Sequence, residues 1–329
     1  MEGPRVTAPH SLRVALYGDG RWAADALRRI ARGPHRTVGV VGRRHPSDRT
    51  LADAARELNL QVARPDRINA AESVALLTRW APDVAVSVAY DQILGPAAIR
   101  VPPLGTVNLH AGLLPQYRGR NVISWALLNG ETEIGITLHY MDEGIDTGDI
   151  ILQRKLPIEW TDDYGRLLDR VVAACPGLVA EGLDLIAAGI APRRPQSPEA
   201  ATYFGGRSEG DEWLDWNDSS LNLYNKIRAI TRPGPGARTV LGSDRVIVWR
   251  ATYDPARPRY VANAGQVVGR HADGVVVKTG DSTICLREVQ VGDGEPMVPD
   301  WPLGTRVGLN MLDLLHRVAL SAATMGVLP

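Results

Sequence analysis

Asp83-Val84-Ala85-Val86-Ser87-Val88-Ala89 decides the fold. It is short, strand-like and rich in β-branched residues. A helical segment at 70–80 precedes it, and a second strand at 107–110 follows it. Working outward, strands are expected at 12–17, 37–42 and 134–141, with helices at 22–31, 51–58 and 122–128. Strands alternating with helices predict an α/β fold with a doubly wound, mostly parallel sheet. Ligands of such sheets bind at the carboxyl ends of strands, where Gly18, Ala89-Tyr90 and His110 all fall.

A long apolar-periodic segment at 167–188 reads as a helix closing the first domain. Pro192, Pro195 and Pro198 then mark a linker. Beyond it, a helix at 221–231 precedes short strands near 239–241, 246–253, 265–270, 274–279 and 282–291, the spacing of a small, OB-like β-barrel. The expected organisation is a flexible tail at 1–11, a first domain at 12–189, a linker at 190–203 and a barrel domain at 204–329.

The 329 residues carry 37 Lys and Arg against 37 Asp and Glu, so no net field recruits nucleic acid or an anionic membrane. Cys175 and Cys285 lie far apart without ligand spacing, which implies a reducing compartment, inert core thiols and no zinc site. No apolar stretch reaches the roughly 20 residues of a membrane span, and no leader opens the chain. A cytoplasmic protein is expected.

The chemistry concentrates at Asn108-Leu109-His110, which ends an apolar run and opens onto Ala111-Gly112-Leu113-Leu114-Pro115-Gln116-Tyr117-Arg118-Gly119. Residues two apart on a strand share a face, so an amide and an imidazole aim at one spot. Asp146, within Met141-Asp142-Glu143-Gly144-Ile145-Asp146-Thr147-Gly148-Asp149, is placed to orient that imidazole. A base, an oxyanion donor and an orienting carboxylate are what acyl transfer to an amine requires. The blander readings are a satisfied polar pair at a strand end and carboxylates serving turns. Gly18-Asp19-Gly20-Arg21-Trp22-Ala23 matches a degenerate dinucleotide fingerprint but equally a tight strand-to-helix turn. Arg43-Arg44 suits a 2′-phosphate or a solvated loop. Trp213, Trp216, Trp249 and Trp301 read as packing residues rather than a base-stacking platform.

Asn108-x-His110-x-x-Leu113-Leu114-Pro115-x-Tyr117-Arg118-Gly119 and Met141-Asp142-x-Gly144-x-Asp146-Thr147-Gly148 together resemble the tetrahydrofolate-dependent N-formyltransferases. Ala89-Tyr90-Asp91-Gln92-Ile93-Leu94 resembles the family's folate-loop segment. In the second domain, Phe204-Gly205-Gly206-Arg207, Leu214-Asp215-Trp216 and Ile227-Arg228-Ala229 with Pro233-x-Pro235-Gly236-Ala237 are similar to the methionyl-tRNA and lipid-A aminoarabinose branches, and closer to the latter. The resemblance implies N10-formyltetrahydrofolate as cosubstrate, no metal, and Asn108, His110 and Asp146 as the catalytic three. It implies folate contacts from Ile93, Leu94, Leu113, Leu114, Pro115, Met141, Asp142, Glu143 and Gly144. Asp19, Arg21 and Arg118 are candidate contacts to the amine substrate. The family's sugar enzymes suggest a homodimer. One position departs: the family's usual serine, two residues after the histidine, is Gly112 here.

The amine is expected on a nucleotide-linked sugar. A small natural-product amine of the hydroxyornithine type and methionyl-tRNA are the alternatives. Residues 205–329 hold 2 Lys and 12 Arg against 14 Asp and Glu, and the loop at 42–49 is short, which weighs against tRNA. Outside this chemistry stand an NADP-dependent oxidoreductase, a catalytically silent folate-binding module and a formyltetrahydrofolate hydrolase.

Overall fold

The β-branched run forms a strand with no face open to water. The computed structural model of the chain describes residues 11–259 and 261–308; most of the expected tail and the final 21 residues lie outside them. The chain divides into two compact units. Unit 1 holds residues 1–123, 132–159 and 167–206, and unit 2 holds 124–131, 160–166 and 207–329.

The elements of the first 204 residues, in order, are β1 (Arg13–Gly18), α1 (Gly20–Ala31), β2 (Arg36–Gly42), α2 (Thr50–Glu57), β3 (Val62–Ala63), α3 (Ala71–Trp80), β4 (Val84–Val88), α4 (Pro96–Ile99), β5 (Thr106–His110), β6 (Arg118–Gly119), α5 (Val122–Leu128), β7 (Glu133–Tyr140), β8 (Ile150–Pro157), α6 (Tyr164–Ala187) and β9 (Tyr203–Phe204). The main sheet has the order β3-β2-β1-β4-β5-β7-β8. It is parallel from β3 to β5, while β7 and β8 run antiparallel. Every residue of β4 is buried, and both of its edges are paired, with β1 and with β5. A strand covered on both faces needs an unbroken apolar run rather than alternation.

The chain leaves β1 toward β2 on one side and later returns to β4 on the other, which makes the β1/β4 border a topological switch point. Here Gly18 lets α1 approach: an added Cβ would lie 2.4 Å from Ala23 Cβ and 2.4 Å from the Val88 carbonyl oxygen. The Gly-Asp-Gly segment thus meets the steric demand of a tight strand-to-helix turn.

Strand β8 has no counterpart in the sequence reading. Gln153, Arg154 and Lys155 interrupt its apolar pattern. Such charges suit an edge strand, where they discourage pairing with other chains. Arg154 and Lys155 meet Glu181 and Glu133 at 3.2 and 2.6 Å.

The stretch expected as a linker is hydrogen-bonded into unit 1. Ile150 and Arg194 exchange backbone hydrogen bonds of 2.9 and 3.1 Å, and β9 pairs in parallel with β6. Proline removes a donor but favours extended backbone, so a Pro-flanked Arg194 can still line a sheet edge.

Unit 2 contains α7 (Ser220–Ile230), capped by Ser219 Oγ accepting from Asn222 N–H. Its strands are β10 (Ala237–Leu241), β11 (Asp244–Thr252), β12 (Val267–His271), β13 (Gly274–Lys278) and β14 (Thr283–Val291), ordered β10-β11-β14-β13-β12 and antiparallel throughout. Residues 305–308 close this sheet. Gly308 N–H donates to the Val240 carbonyl of β10, while Val307 N–H donates to Gly265 just before β12 and Thr305 accepts from Val267 N–H of β12. Trp216 is buried here with its Nε1–H donating to Thr239 Oγ1 at 2.9 Å, a packing role.

Candidate active site

Asn108 and His110 leave the same face of β5 and converge on Asp146. The β7–β8 loop folds back to deliver this carboxylate, with Asp146 itself in the left-handed region at φ 55°. Asp146 Oδ2 accepts from Gly119 N–H at 2.9 Å and lies 3.6 Å from His110 Nδ1. Its Oδ1 lies 3.5 Å from Asn108 Nδ2 and 3.6 Å from His139 Nε2. His139, which the sequence reading did not single out, enters because antiparallel pairing sets it opposite Asn108. Its Nδ1 meets the Tyr140 carbonyl at 2.8 Å and its Nε2 meets Asn108 Nδ2 at 3.3 Å. The Tyr140 carbonyl can only accept, so Nδ1 donates to it and the ring is fixed with Nε2 turned toward Asn108 and Asp146.

Burial pushes the His110 pKa down, against the opposing pull of Asp146 and of the Tyr117 carbonyl. A neutral imidazole, able to take a proton, is thereby favoured. Burial alone would raise the Asp146 pKa. Its contacts with His139, with His110 and with the Gly119 N–H overcome it and hold Asp146 down to about 2, so the carboxylate stays ionised.

Glycine at 112 belongs to this arrangement. His110 Nε2 donates to the Tyr117 carbonyl at 2.6 Å. A Cβ on Gly112 would stand 2.6 Å from that oxygen and 2.7 Å from that nitrogen. The loop bearing Leu113, Leu114 and Pro115 is held from below. Thr137 Oγ1 donates to the Gly112 carbonyl at 2.7 Å, and Gln153 Nε2 donates to the Leu114 carbonyl at 2.7 Å.

The other expected residues fall into two groups. Leu94 is buried in a core cluster against which Met141 and Tyr90 pack, so the 93–94 segment and the 141–144 loop adjoin. Ile93 is 71% exposed. Asp142 Oδ1 accepts from Gly144 N–H and Thr147 Oγ1, which is turn chemistry, and Glu143 pairs with Arg100 at 2.9 Å. By contrast, the candidate amine contacts are engaged within the protein. Asp19 is 3% exposed, accepting from Ser47 N–H at 3.0 Å and facing Arg43 at 3.6 Å. Arg21 pairs with Asp25 and Asp169. Arg118 is buried and donates to Gln196 and Tyr203.

Arg43 also donates to the Ala89 carbonyl at 2.7 Å, and Arg44 pairs with Asp66 at 3.1 Å on the surface. Burial pushes the Cys175 thiol up to about 12, which keeps it protonated and inert. Among the described residues, no group of three or more His, Cys, Asp or Glu side chains is arranged to hold a metal. No described helix is long and apolar enough to cross a membrane. A cavity of about 670 Å³ in unit 2, lined by Trp216, Lys278 and Arg306 among others, contains none of the side chains around Asp146.

Comparison with known proteins fits this geometry. Residues 13–180 match the formyl transferase family, and residues 208–303 match the formyl transferase C-terminal domain. The methionyl-tRNA formyltransferase of Pelotomaculum thermopropionicum is 35% identical over 85% of the chain and 91% of its own length. That of Symbiobacterium thermophilum is 37% identical over 85% and 88%. Among solved structures, the N-formyltransferase from Helicobacter canadensis, in complex with folinic acid and dTDP-3-aminofucose, superposes with a TM-score of 0.65 at 19% identity, covering 84% of this chain and 99% of that one. A likely sugar N-formyltransferase from Mycobacterium tuberculosis gives 0.60 at 24%, covering 75% and 100%. The two structural matches establish the shared fold, and the sequence matches establish descent: the chain belongs to the formyl transferase family and is a formyltransferase enzyme.

Proposed function

We propose that this enzyme transfers the formyl group of N10-formyltetrahydrofolate to a primary amine carried on a nucleotide-linked sugar. The convergence of Asn108, His110 and Asp146 carries the reading of the reaction. The amine nitrogen attacks the formyl carbon, and the carbonyl oxygen becomes an oxyanion. Asn108 Nδ2–H donates to that oxygen, a contact of a kind commonly worth about 2.7 to 4 kcal/mol at the transition state. His110 accepts the proton the amine gives up, and Asp146 stabilises the resulting imidazolium. The bond from carbon to N10 then breaks, and N10 takes a proton. The adjoining 93–94 and 141–144 segments supply an aliphatic wall and backbone groups suited to a flat pterin.

Charge supports the sugar nucleotide. Of the three arginines in the loop at 43–49, Arg43 is held by the Ala89 carbonyl and Arg44 has its charge offset by Asp66 at the surface, leaving little net positive charge to grip a polyanion. Methionyl-tRNA is the second reading, favoured by the 35% and 37% identical relatives that carry that name. The enzyme is incubated with N10-formyltetrahydrofolate and a panel of nucleotide-linked amino sugars, ornithine derivatives and methionyl-tRNA, with a mass gain of one formyl group as readout. Formylation of an amino sugar is expected. Formylation of methionyl-tRNA, with binding that falls steeply as salt rises, replaces the substrate. Donor consumption without transfer to any amine sinks the transferase reading.

A further inference from the structure

Gln196 lies between Pro195 and Pro198, in the stretch whose composition reads as a connector. Its side chain nevertheless reaches the loop that carries Asp146. Nε2–H donates to the Asp146 carbonyl at 2.9 Å and to the Gly148 carbonyl at 2.8 Å, one on each side of Thr147. Both amide hydrogens are thus used. Oε1 accepts from Arg118 Nε at 3.1 Å and from Arg118 Nη2 at 2.7 Å. Arg118 is buried, and its Nη1 donates to Tyr203 Oη at 2.8 Å. Its neighbour Gly119 gives its N–H to the Asp146 carboxylate. Strand β6 therefore grips Asp146 twice, at the carboxylate directly and at the carbonyl through Gln196. A left-handed backbone is unfavourable for a residue with a Cβ and persists only where surroundings enforce it. At Asp146 the enforcing contacts are these.

We propose that Gln196, oriented by Arg118, is a positioning residue that sets the Asp146 carboxylate against His110 for formyl transfer, an inference that rests on the catalytic reading above. Arg118 then acts from within the protein rather than on the amine. The groups facing His110 are Asp146, His139 and the Tyr117 carbonyl. Of these, Asp146 raises the affinity of His110 for a proton, so loosening Asp146 lowers it.

The test is NMR titration of His110, together with kcat and KM, in the parent, Gln196→Met, Gln196→Asn and Asp146→Asn. Gln196→Met keeps length but removes both donors. Gln196→Asn keeps an acceptor for Arg118 but falls one methylene short of the carbonyls, and it carries the test should the Met variant not fold. In the Gln196 variants the His110 midpoint is expected to move down toward that of Asp146→Asn. Turnover should fall by up to about 10²-fold, the usual consequence of a roughly 1 Å misplacement, with KM for the donor changing far less. A His110 midpoint that moves in Asp146→Asn but stays in both Gln196 variants overturns the clamp alone. A midpoint unmoved in all three overturns the clamp and the catalytic reading together. The expected shifts in an enzyme that formylates no amine support the clamp and overturn the proposed reaction.

Discussion

A side chain at position 112 would occupy the space in which His110 meets the Tyr117 carbonyl. Gly112→Ser is therefore expected to push the imidazole off that carbonyl and cut kcat about tenfold or more, with melting temperature as the control for folding. If Asn108 is the oxyanion donor proposed above, Asn108→Ala should cost roughly 10² to 10³ in kcat, read in a formyl-transfer assay on a protein with unchanged circular dichroism. Asp146 has a folded-state pKa depressed to about 2, below its ordinary 3.8. Its contribution to stability is complete above the ordinary value and is lost as pH falls from about 4 through about 2. Asp146→Asn should remove that segment of the acid-unfolding curve, measured by denaturant titration at stepped pH. The meeting of Asn108, His110 and Asp146 at one spot was legible because strand periodicity and a glycine-rich loop announce it. His139 and Gln196 were not. Each depends on a pairing partner distant in sequence, and in isolation one is a strand residue and the other a polar residue between prolines.

At the scale of elements, the two-residue β3 is too short to show a pattern. Strands β1, β2, β4 and β5 of the parallel half follow from sequence within a residue or two, because β-branched runs and amphipathic helices alternate there. The antiparallel edge does not. A charged edge strand satisfies its partner's hydrogen bonds while breaking the apolar pattern that betrays a strand. Close packing adds constraints that periodicity cannot express. A Cβ on Gly39 of β2 would meet the Trp80 ring at the end of α3 at 2.1 Å. Gly39→Ala is thus expected to destabilise unit 1 by about 1 to 3 kcal/mol, as overpacking does, with the shift in denaturation midpoint as the measurement. An unchanged midpoint would mean that α3 can move away from β2 without loss.

For the whole molecule, equal numbers of acidic and basic residues set the expectation of a small-molecule substrate. The division into units was less legible. Residues 124–131 and 160–166 cluster with unit 2 although they interrupt unit 1 in sequence, and no composition change marks them. Closure of the unit 2 sheet by residues 305–308 was equally silent, since so short a segment has no periodicity to read. Val307→Pro deletes the N–H given to Gly265. It should speed hydrogen exchange along β10 and β12 while leaving exchange at β4 unaltered. The same closure bears on synthesis. A ribosome finishes every strand of that sheet before it makes the four residues that seal it. Until they emerge, the nascent chain carries two bare sheet edges at once, each open to strand addition from a neighbouring polypeptide.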